Sequence, residues 1–189
     1  MDTPRILELI ERLGNLLRAG QRRAGQAAGL QPVHLQVLGY LARCNRFSNT
    51  PAALTAYLGT TKGTVSQTLA VLERNGLVER HADAADGRLV RLRLTRGGRA
   101  ALRGLQTTPD WEHALGTLSA AQRAAAEGAL DQLLRTLQQA NGQRAFGVCR
   151  SCRHLQRQGR GWRCGLNGEA LDAADTARIC HEHAYPGSV

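Results

Sequence analysis

The chain has 189 residues, 42% hydrophobic and 21% charged, which allows one packed domain plus a small appendage and argues against disorder. Aromatic residues make up only 4%, which disfavours the Tyr-, Phe- and Trp-rich sandwiches and barrels. Twenty-five Lys and Arg against fifteen Asp and Glu give a net charge of +10 and a pI near 10.6, a field that makes nucleic acid the first partner to consider.

The first segment, MDTPRILELIERLGNLLRAG, places Ile6, Ile10, Leu13 and Leu17 on one stripe, widened by Leu9 and Leu16, and predicts an amphipathic helix. Its charges recur every few residues, unlike a secretory signal. No apolar run approaches the ~18 residues of a membrane span. A cytoplasmic protein with no membrane partner is expected. Gly29-Leu30-Gln31-Pro32 breaks the helix, and Val33, Leu35, Val37, Leu38 and Leu41 pattern a second. Thr50-Pro51 supplies a hydroxyl cap and then a proline at a position needing no amide donor. The third helix it starts is short and ends at Gly59. Thr60 or Thr61 caps a fourth, running through Arg74 to a stop at Asn75-Gly76.

The period then changes. Leu77 to Arg80 is predicted as a strand, Ala82 to Gly87 as a turn-like loop. Leu89 to Thr95 alternates, with Val90, Leu92 and Leu94 on one face and Arg91 and Arg93 on the other. From about Arg99 to Leu118 the pattern is helical, with Pro109 placed to kink or interrupt it. Ser119-Ala120-Ala121-Gln122 reads as a capping box opening a last helix striped by Leu130, Leu133, Leu134 and Leu137. The expected fold is mainly α with a small β-hairpin wing, a winged helix-turn-helix with long dimerisation helices. Those helices carry wider apolar stripes than one core needs, which predicts a homodimer. Residues 1–141 form this DNA-binding and dimerisation domain. Residues 142–189 form a cysteine-rich segment.

Two stretches carry a family resemblance: TPAALTAYLGTTKGTVSQTLAVLERNGLVER and DAADGRLVRLRLTRGG. With the last helix opened by LSAAQR, they make residues 5 to about 140 resemble the MarR family of bacterial transcriptional regulators. The resemblance implies a homodimer that binds pseudo-palindromic double-stranded operator DNA, usually as a repressor. It also implies wing roles for an aspartate and an arginine matching Asp83 or Asp86 and Arg88. The cysteine tail lies outside the usual family pattern.

The residues themselves indicate how DNA would be read. In the fourth helix Val65, Leu69 and Leu72 share a core face, which turns Gly63, Ser66, Gln67, Ala70 and Arg74 outward. Gln67 can bond adenine in pairs, and Thr64 and Ser66 can reach base edges or phosphates. Lys62, the only lysine, fits a phosphate at the helix N-terminus beside Thr61. Arg88, at the hairpin tip, suits a minor groove. Asp83 or Asp86 can pair with Arg88 or Arg91 and hold the loop. Arg91 is a candidate either for the DNA backbone or for keeping the exposed face soluble, and Arg93 is assigned to the latter. A dimer neutralising about eight phosphates would show a log–log salt slope near −7.

Four of five cysteines fall in the last 41 residues, as Cys149-x2-Cys152-x11-Cys164-x15-Cys180. In a cytoplasmic chain such a set points to metal before disulfides. A segment with Trp162, Leu166, Leu171 and Ile179 as its main apolar residues needs a staple. Zinc ribbons usually show two tight pairs, and here there is one. A [4Fe–4S] cluster can gather isolated ligands from separate loops, and the spacing is similar to that of high-potential iron–sulfur proteins. The cluster is therefore favoured, with Zn2+ as the alternative. Arg150, Arg153, Arg163 and Arg178 could offset cluster charge. His154, His181 and His183 read as surface or donor residues around the site, though each could replace a zinc ligand. Cys44 reads as a small buried hydrophobe.

No nucleotide loop, paired carboxylates, HExxH or Gly-x-Ser-x-Gly supports an enzyme. His34 and Cys44 stand too far apart on one helix for a catalytic pair. Two functions remain. One is a regulator whose cysteine centre senses redox state or metal and cluster supply. The other is a regulator answering a small-molecule effector, its tail a structural zinc site.

Overall fold

A computed structural model describes residues 3–26, 28–83, 86–103, 109–142, 145–159 and 161–186. The elements follow in chain order. Helices α1 (Thr3–Gln26), α2 (Pro32–Arg43), α3 (Pro51–Leu58) and α4 (Lys62–Arg74) precede an antiparallel hairpin of β1 (Val78–Ala82) and β2 (Val90–Leu94). Helices α5 (Arg96–Arg103), α6 (Pro109–Gly116) and α7 (Ala120–Ala140) follow. The expected mainly helical fold with a β-hairpin wing is found.

Local chemistry sets the boundaries. The Thr50 hydroxyl accepts the Ala53 N–H at 3.2 Å and opens α3, with Pro51 at the first helical position. Thr61, not Thr60, caps α4 by accepting the Thr64 N–H at 3.1 Å. Ser119 and Gln122 form the reciprocal capping box of α7. Gly59 ends α3 at φ 59° and Gly76 follows α4 at φ 63°, a conformation that costs a side-chain-bearing residue strain. One helix from Arg99 to Leu118 does not form. Pro109 stands at the start of a separate helix, where its fixed φ and missing N–H are harmless. The stretch 104–108, which the expected helix also spanned, lies outside the described residues, as do Ala84 and Ala85 of the expected turn.

The core lies between α2, α3, α4 and the hairpin. Val37, Leu38, Tyr40, Leu54, Val65, Leu69, Leu72 and Leu92 are almost completely buried. Leu94 pairs with Val78 across the hairpin, so its inner face continues this core. In contrast, α1 leaves Ile6, Leu9, Leu13 and Leu17 exposed, and α7 leaves Leu130, Leu134 and Leu137 exposed.

The C-terminal part is a small β structure. Strands β4 (Leu155–Gln158), β5 (Gly161–Cys164) and β6 (Ala170–Leu171) form an antiparallel sheet in that order. Strand β3 (Gly147–Val148) pairs with β7 (Ile179–Cys180), and one short helix, α8 (Ala173–Thr176), lies between β6 and β7. This tail is docked on the winged helix. Ile179 bridges to Cys44 at the end of α2, and the Asn45 N–H donates to the Ile179 carbonyl at 2.8 Å. Phe146 packs edge-on against Tyr40 and Tyr57. At the far end the Arg135 guanidinium of α7 lies 3.6 Å above the Tyr185 ring.

Gly98 shows how tightly α5 is seated. A Cβ there would stand 2.0 Å from the Leu77 carbonyl oxygen. Gly98→Ala is expected to destabilise the fold by roughly 1–3 kcal/mol. Gly39→Ala, within α2 and meeting only the Arg43 side chain at 4.0 Å, is expected to stabilise by about 0.5–1 kcal/mol. Urea midpoints of the two variants should move in opposite directions.

Candidate nucleic-acid interface and four-cysteine cavity

Helix α4 presents two unlike faces. Val65, Leu69 and Leu72 are buried with Thr68, while Lys62, Gly63, Thr64, Ser66, Gln67, Ala70 and Arg74 are exposed. The Thr61 and Thr64 hydroxyls lie 3.0 Å apart, so Thr61 acts locally as a cap although it too is exposed. The outer face is polar and small, with Lys62 in the first turn and the positive end of the helix beside it.

The hairpin tip is organised by carboxylates. The Asp86 N–H donates to Asp83 Oδ1 at 3.1 Å, and the Arg88 N–H donates to Asp86 Oδ1 at 3.0 Å. Arg88 is thus exposed at a tip whose backbone is held by neighbouring side chains. Arg91 is placed differently from Arg88 and Arg93. Its Nε donates to Asp83 Oδ2 at 2.6 Å, and its Nη1 donates to the Phe47 carbonyl at 3.0 Å and to Asn49 Oδ1 at 3.3 Å. Both members of the pair are less than a fifth exposed. Of the pairings left open by sequence, the one between Asp83 and Arg91 is formed. Arg91 clamps the wing loop to the turn between α2 and α3. Arg93 is exposed.

All four tail cysteines line one cavity of about 80 Å³, walled by Phe47, Leu155, Leu166 and Leu171. Cys149 begins a 3-10 turn, Cys149–Ser151, and Cys152 closes it by donating its N–H to the Cys149 carbonyl at 2.9 Å. Cys164 comes from the end of β5 and Cys180 from the end of β7. The Ala184 N–H points at Cys152 Sγ, 3.5 Å away, and Asn45 Nδ2 points at Cys149 Sγ, 3.8 Å away. Hydrogen bonding from Cys149, only partly opposed by burial, lowers the Cys180 thiol. Donating that bond, with burial, pushes Cys149 up. All five cysteines are free thiols. Among the described residues, no three Cys, His, Asp or Glu side chains converge closely enough for a single metal ion.

His154 lines this cavity. His181 instead faces the Ser48 hydroxyl at 3.3 Å, and His183 Nε2 lies 3.0 Å from the Ser151 hydroxyl. Arg178 reaches the Ala42 and Cys44 carbonyls, and Arg163 the Gly168 carbonyl. Cys44 is buried, and burial pushes its thiol up to about 12. His34 is buried and its Nδ1 accepts the Gln31 N–H at 3.0 Å, a helix-start role.

Sequence reasoning passed over Asn45 and Ser48. Both are buried in the turn between α2 and α3, at 1% and 0% exposure. The string Cys44-Asn45-Arg46-Phe47-Ser48-Asn49-Thr50 has the composition of an ordinary polar loop, and nothing local marks it as buried.

The helices, the capped α4 and the hairpin define a winged helix-turn-helix domain. Residues 28–89 match the MarR family model. Solved structures share the fold. FabT of Streptococcus pneumoniae, in complex with DNA, is 25% identical with a TM-score of 0.60, covering 74% of this chain and 99% of that one. A MarR transcriptional regulator from Methanosarcina mazei Go1 is 21% identical with a TM-score of 0.62, covering 73% and 99%. MepR of S. aureus, in a DNA complex, is 22% identical with a TM-score of 0.57, covering 68% and 96%. No curated protein matches the sequence. Among the described residues, no helix is long and apolar enough to cross a membrane.

Proposed function

We infer that this protein is a homodimeric transcriptional regulator that binds double-stranded operator DNA. We further infer that its four-cysteine centre, most simply a [4Fe–4S] cluster, makes that binding respond to redox state or to cluster supply. The observation carrying the DNA reading is the exposed, small, polar face of α4 set beside an arginine-tipped wing, in a chain of net charge +10. The DNA complexes of FabT and MepR, which share the fold, support it. Gln67, Ser66 and Thr64, exposed on that face, suit base edges in a major groove. Lys62 and the α4 N-terminus suit phosphate, and Arg88 suits a minor groove. Gln67→Ala is expected to change base preference at one operator position by about 1–3 kcal/mol. Arg88→Ala is expected to weaken binding to all duplexes or to A·T-flanked sites. Fluorescence anisotropy across an operator-variant panel checks both, and parental behaviour of both variants rules the surface out.

The apolar stripes of α1 and α7 support the dimer. Ile6, Leu7, Leu13, Leu16 and Leu17, with Leu130, Leu134 and Leu137, are 47–62% exposed in the single chain, more apolar surface than a monomer normally leaves in water. Light scattering at micromolar concentration should give twice the chain mass of 20.4 kDa. A stable monomer at that concentration excludes the reading.

The cluster reading is supported by the chemistry of the donor set. Four thiols, apolar walls and N–H donors at Cys149 and Cys152 suit a thiolate-ligated polynuclear centre wider than one ion. Cys149, Cys152, Cys164 and Cys180 would hold it. When bound, such a centre supplies a group labile to oxidants and to iron shortage. The chain's own residues would wall it with apolar side chains and direct N–H groups at the sulfurs. Anaerobically purified protein is expected to be brown and to contain iron. Cys164→Ser is expected to lose iron and shift operator affinity. Unchanged metal content removes Cys164 from the ligands, zinc in place of iron makes the tail structural, and lost metal with unchanged affinity removes the sensor role.

A further inference from the structure

We propose that the turn between α2 and α3, through Asn45, conveys the state of the four-cysteine centre to the wing tip. The inference rests on the function proposed above. It concerns how that regulation is built.

Asn45 is the junction. Its Nδ2 points at Cys149 Sγ, and its Oδ1 accepts both the Phe47 N–H at 3.1 Å and the Ser48 hydroxyl at 2.7 Å. The same amide therefore holds the tail with its nitrogen and the turn with its oxygen. The Ser48 hydroxyl in turn accepts the His181 N–H at 2.9 Å, a second bond to the segment carrying Cys180. Beyond the junction, the turn grips the hairpin. Asn49 exchanges bonds with Leu92, its carbonyl accepting the Leu92 N–H at 2.7 Å and its Nδ2 donating to the Leu92 carbonyl at 3.1 Å. The Phe47 carbonyl and Asn49 Oδ1 receive Arg91, whose other arm holds Asp83. Asp83 orders Asp86, and Asp86 orders Arg88. Hydrogen bonds thus run unbroken from a cysteine sulfur to the backbone of the wing-tip arginine, though Asn45 and Cys149 are 104 residues apart.

The physical basis of the switch is acceptor strength. A metal-bound thiolate is a charged acceptor and holds an amide N–H firmly, whereas a neutral thiol is a weak one. When the centre is lost, Asn45 Nδ2 is left buried with a poor partner, a costly state that favours reorientation of the amide. Because the opposite end of that amide carries Phe47 and Ser48, the Phe47 carbonyl moves with it. Arg91 then loses a fixed acceptor, and the loop carrying Arg88 is released. A coupling claim of this kind needs a perturbation at each end.

The test uses the full-length protein, with the centre either reconstituted anaerobically from iron and sulfide or stripped by a chelator. The DNA probe is a duplex selected from a random pool by the loaded parent. The loaded-to-stripped affinity ratio is measured for the parent, Asn45→Asp and Asp83→Asn, together with iron content. Amide exchange of Asp86, Arg88 and Leu89 is followed in the parent and in Asp83→Asn. The parent ratio should differ at least tenfold from one, and stripping should speed exchange at these three amides. In both variants the ratio should approach one with iron retained. In Asp83→Asn, stripping should no longer alter the exchange. A parental ratio of one overturns the sensor function itself. A large parental ratio preserved in iron-loaded variants leaves that function standing and overturns the relay. If Asn45→Asp fails to hold iron, Asp83→Asn decides alone, since it lies at the wing end of the path.

Discussion

Much of this molecule depends on a buried polar turn. Between α2 and α3 the chain must reverse beneath the hairpin, and it does so with Asn45 and Ser48 almost wholly removed from water. Buried amides and hydroxyls are tolerated only when bonded. The Asn45 side chain bonds Phe47, Ser48 and Cys149, and the Ser48 carbonyl accepts the buried Tyr40 hydroxyl at 2.8 Å. Satisfying the turn requires groups from the helical core on one side and from the tail on the other. The tail is therefore part of how the winged helix closes its own polar accounts.

The same turn anchors the wing. A two-stranded hairpin is marginal alone in water. Its inner face is anchored by Val78, Leu92 and Leu94, but none of the described residues of the loop between Ala82 and Val90 belongs to that core. Its geometry comes from Arg91, and Arg91 leans on Phe47 and Asn49. An ion pair less than a fifth exposed resists salt better than a surface pair does. The wing thus divides its arginines: Arg88 is presented, and Arg91 is spent holding the loop that presents it.

What could be read in the sequence was local. The core stripe of Val65, Leu69 and Leu72, the caps at Thr50 and Ser119 and the glycine stops each depend on residues within one or two turns. The alternation of β2 marked Leu92 and Leu94 as inward. It also assigned Arg91 and Arg93 to one outer face, yet their environments differ because two partners of Arg91, Phe47 and Asn49, lie more than forty residues away. The interruption at Pro109 was visible as a possibility, because proline is equally at home at a kink and at a helix start. The four cysteines were legible as a set. Their docking was not, since the contacts that seat the tail, such as Arg46 with Asp175 at 2.8 Å and the Cys44–Ile179 bridge, join segments about 130 residues apart. No periodicity encodes such a pair.

The tail's composition decides how strongly its state is tied to the rest. Its buried apolar set among the described residues is small: Leu171, Tyr185 and two cysteines, with Phe47, Leu155 and Trp162 packed against the Leu171 cluster. So little apolar surface gives a segment of this size only a slight margin over its conformational entropy. Such a segment is held by what it binds and by what it docks against. Here the docking groups are Asn45, Ser48 and the end of α2 on one side and Arg135 of α7 on the other. Any group that ties the four thiols together also stabilises these contacts, because the bound and docked states share the same backbone. The converse holds by linkage: whatever firmly holds the 44–49 turn in place favours the arrangement in which the thiols face one another. On the proposed relay, tail, turn and wing share one conformational equilibrium.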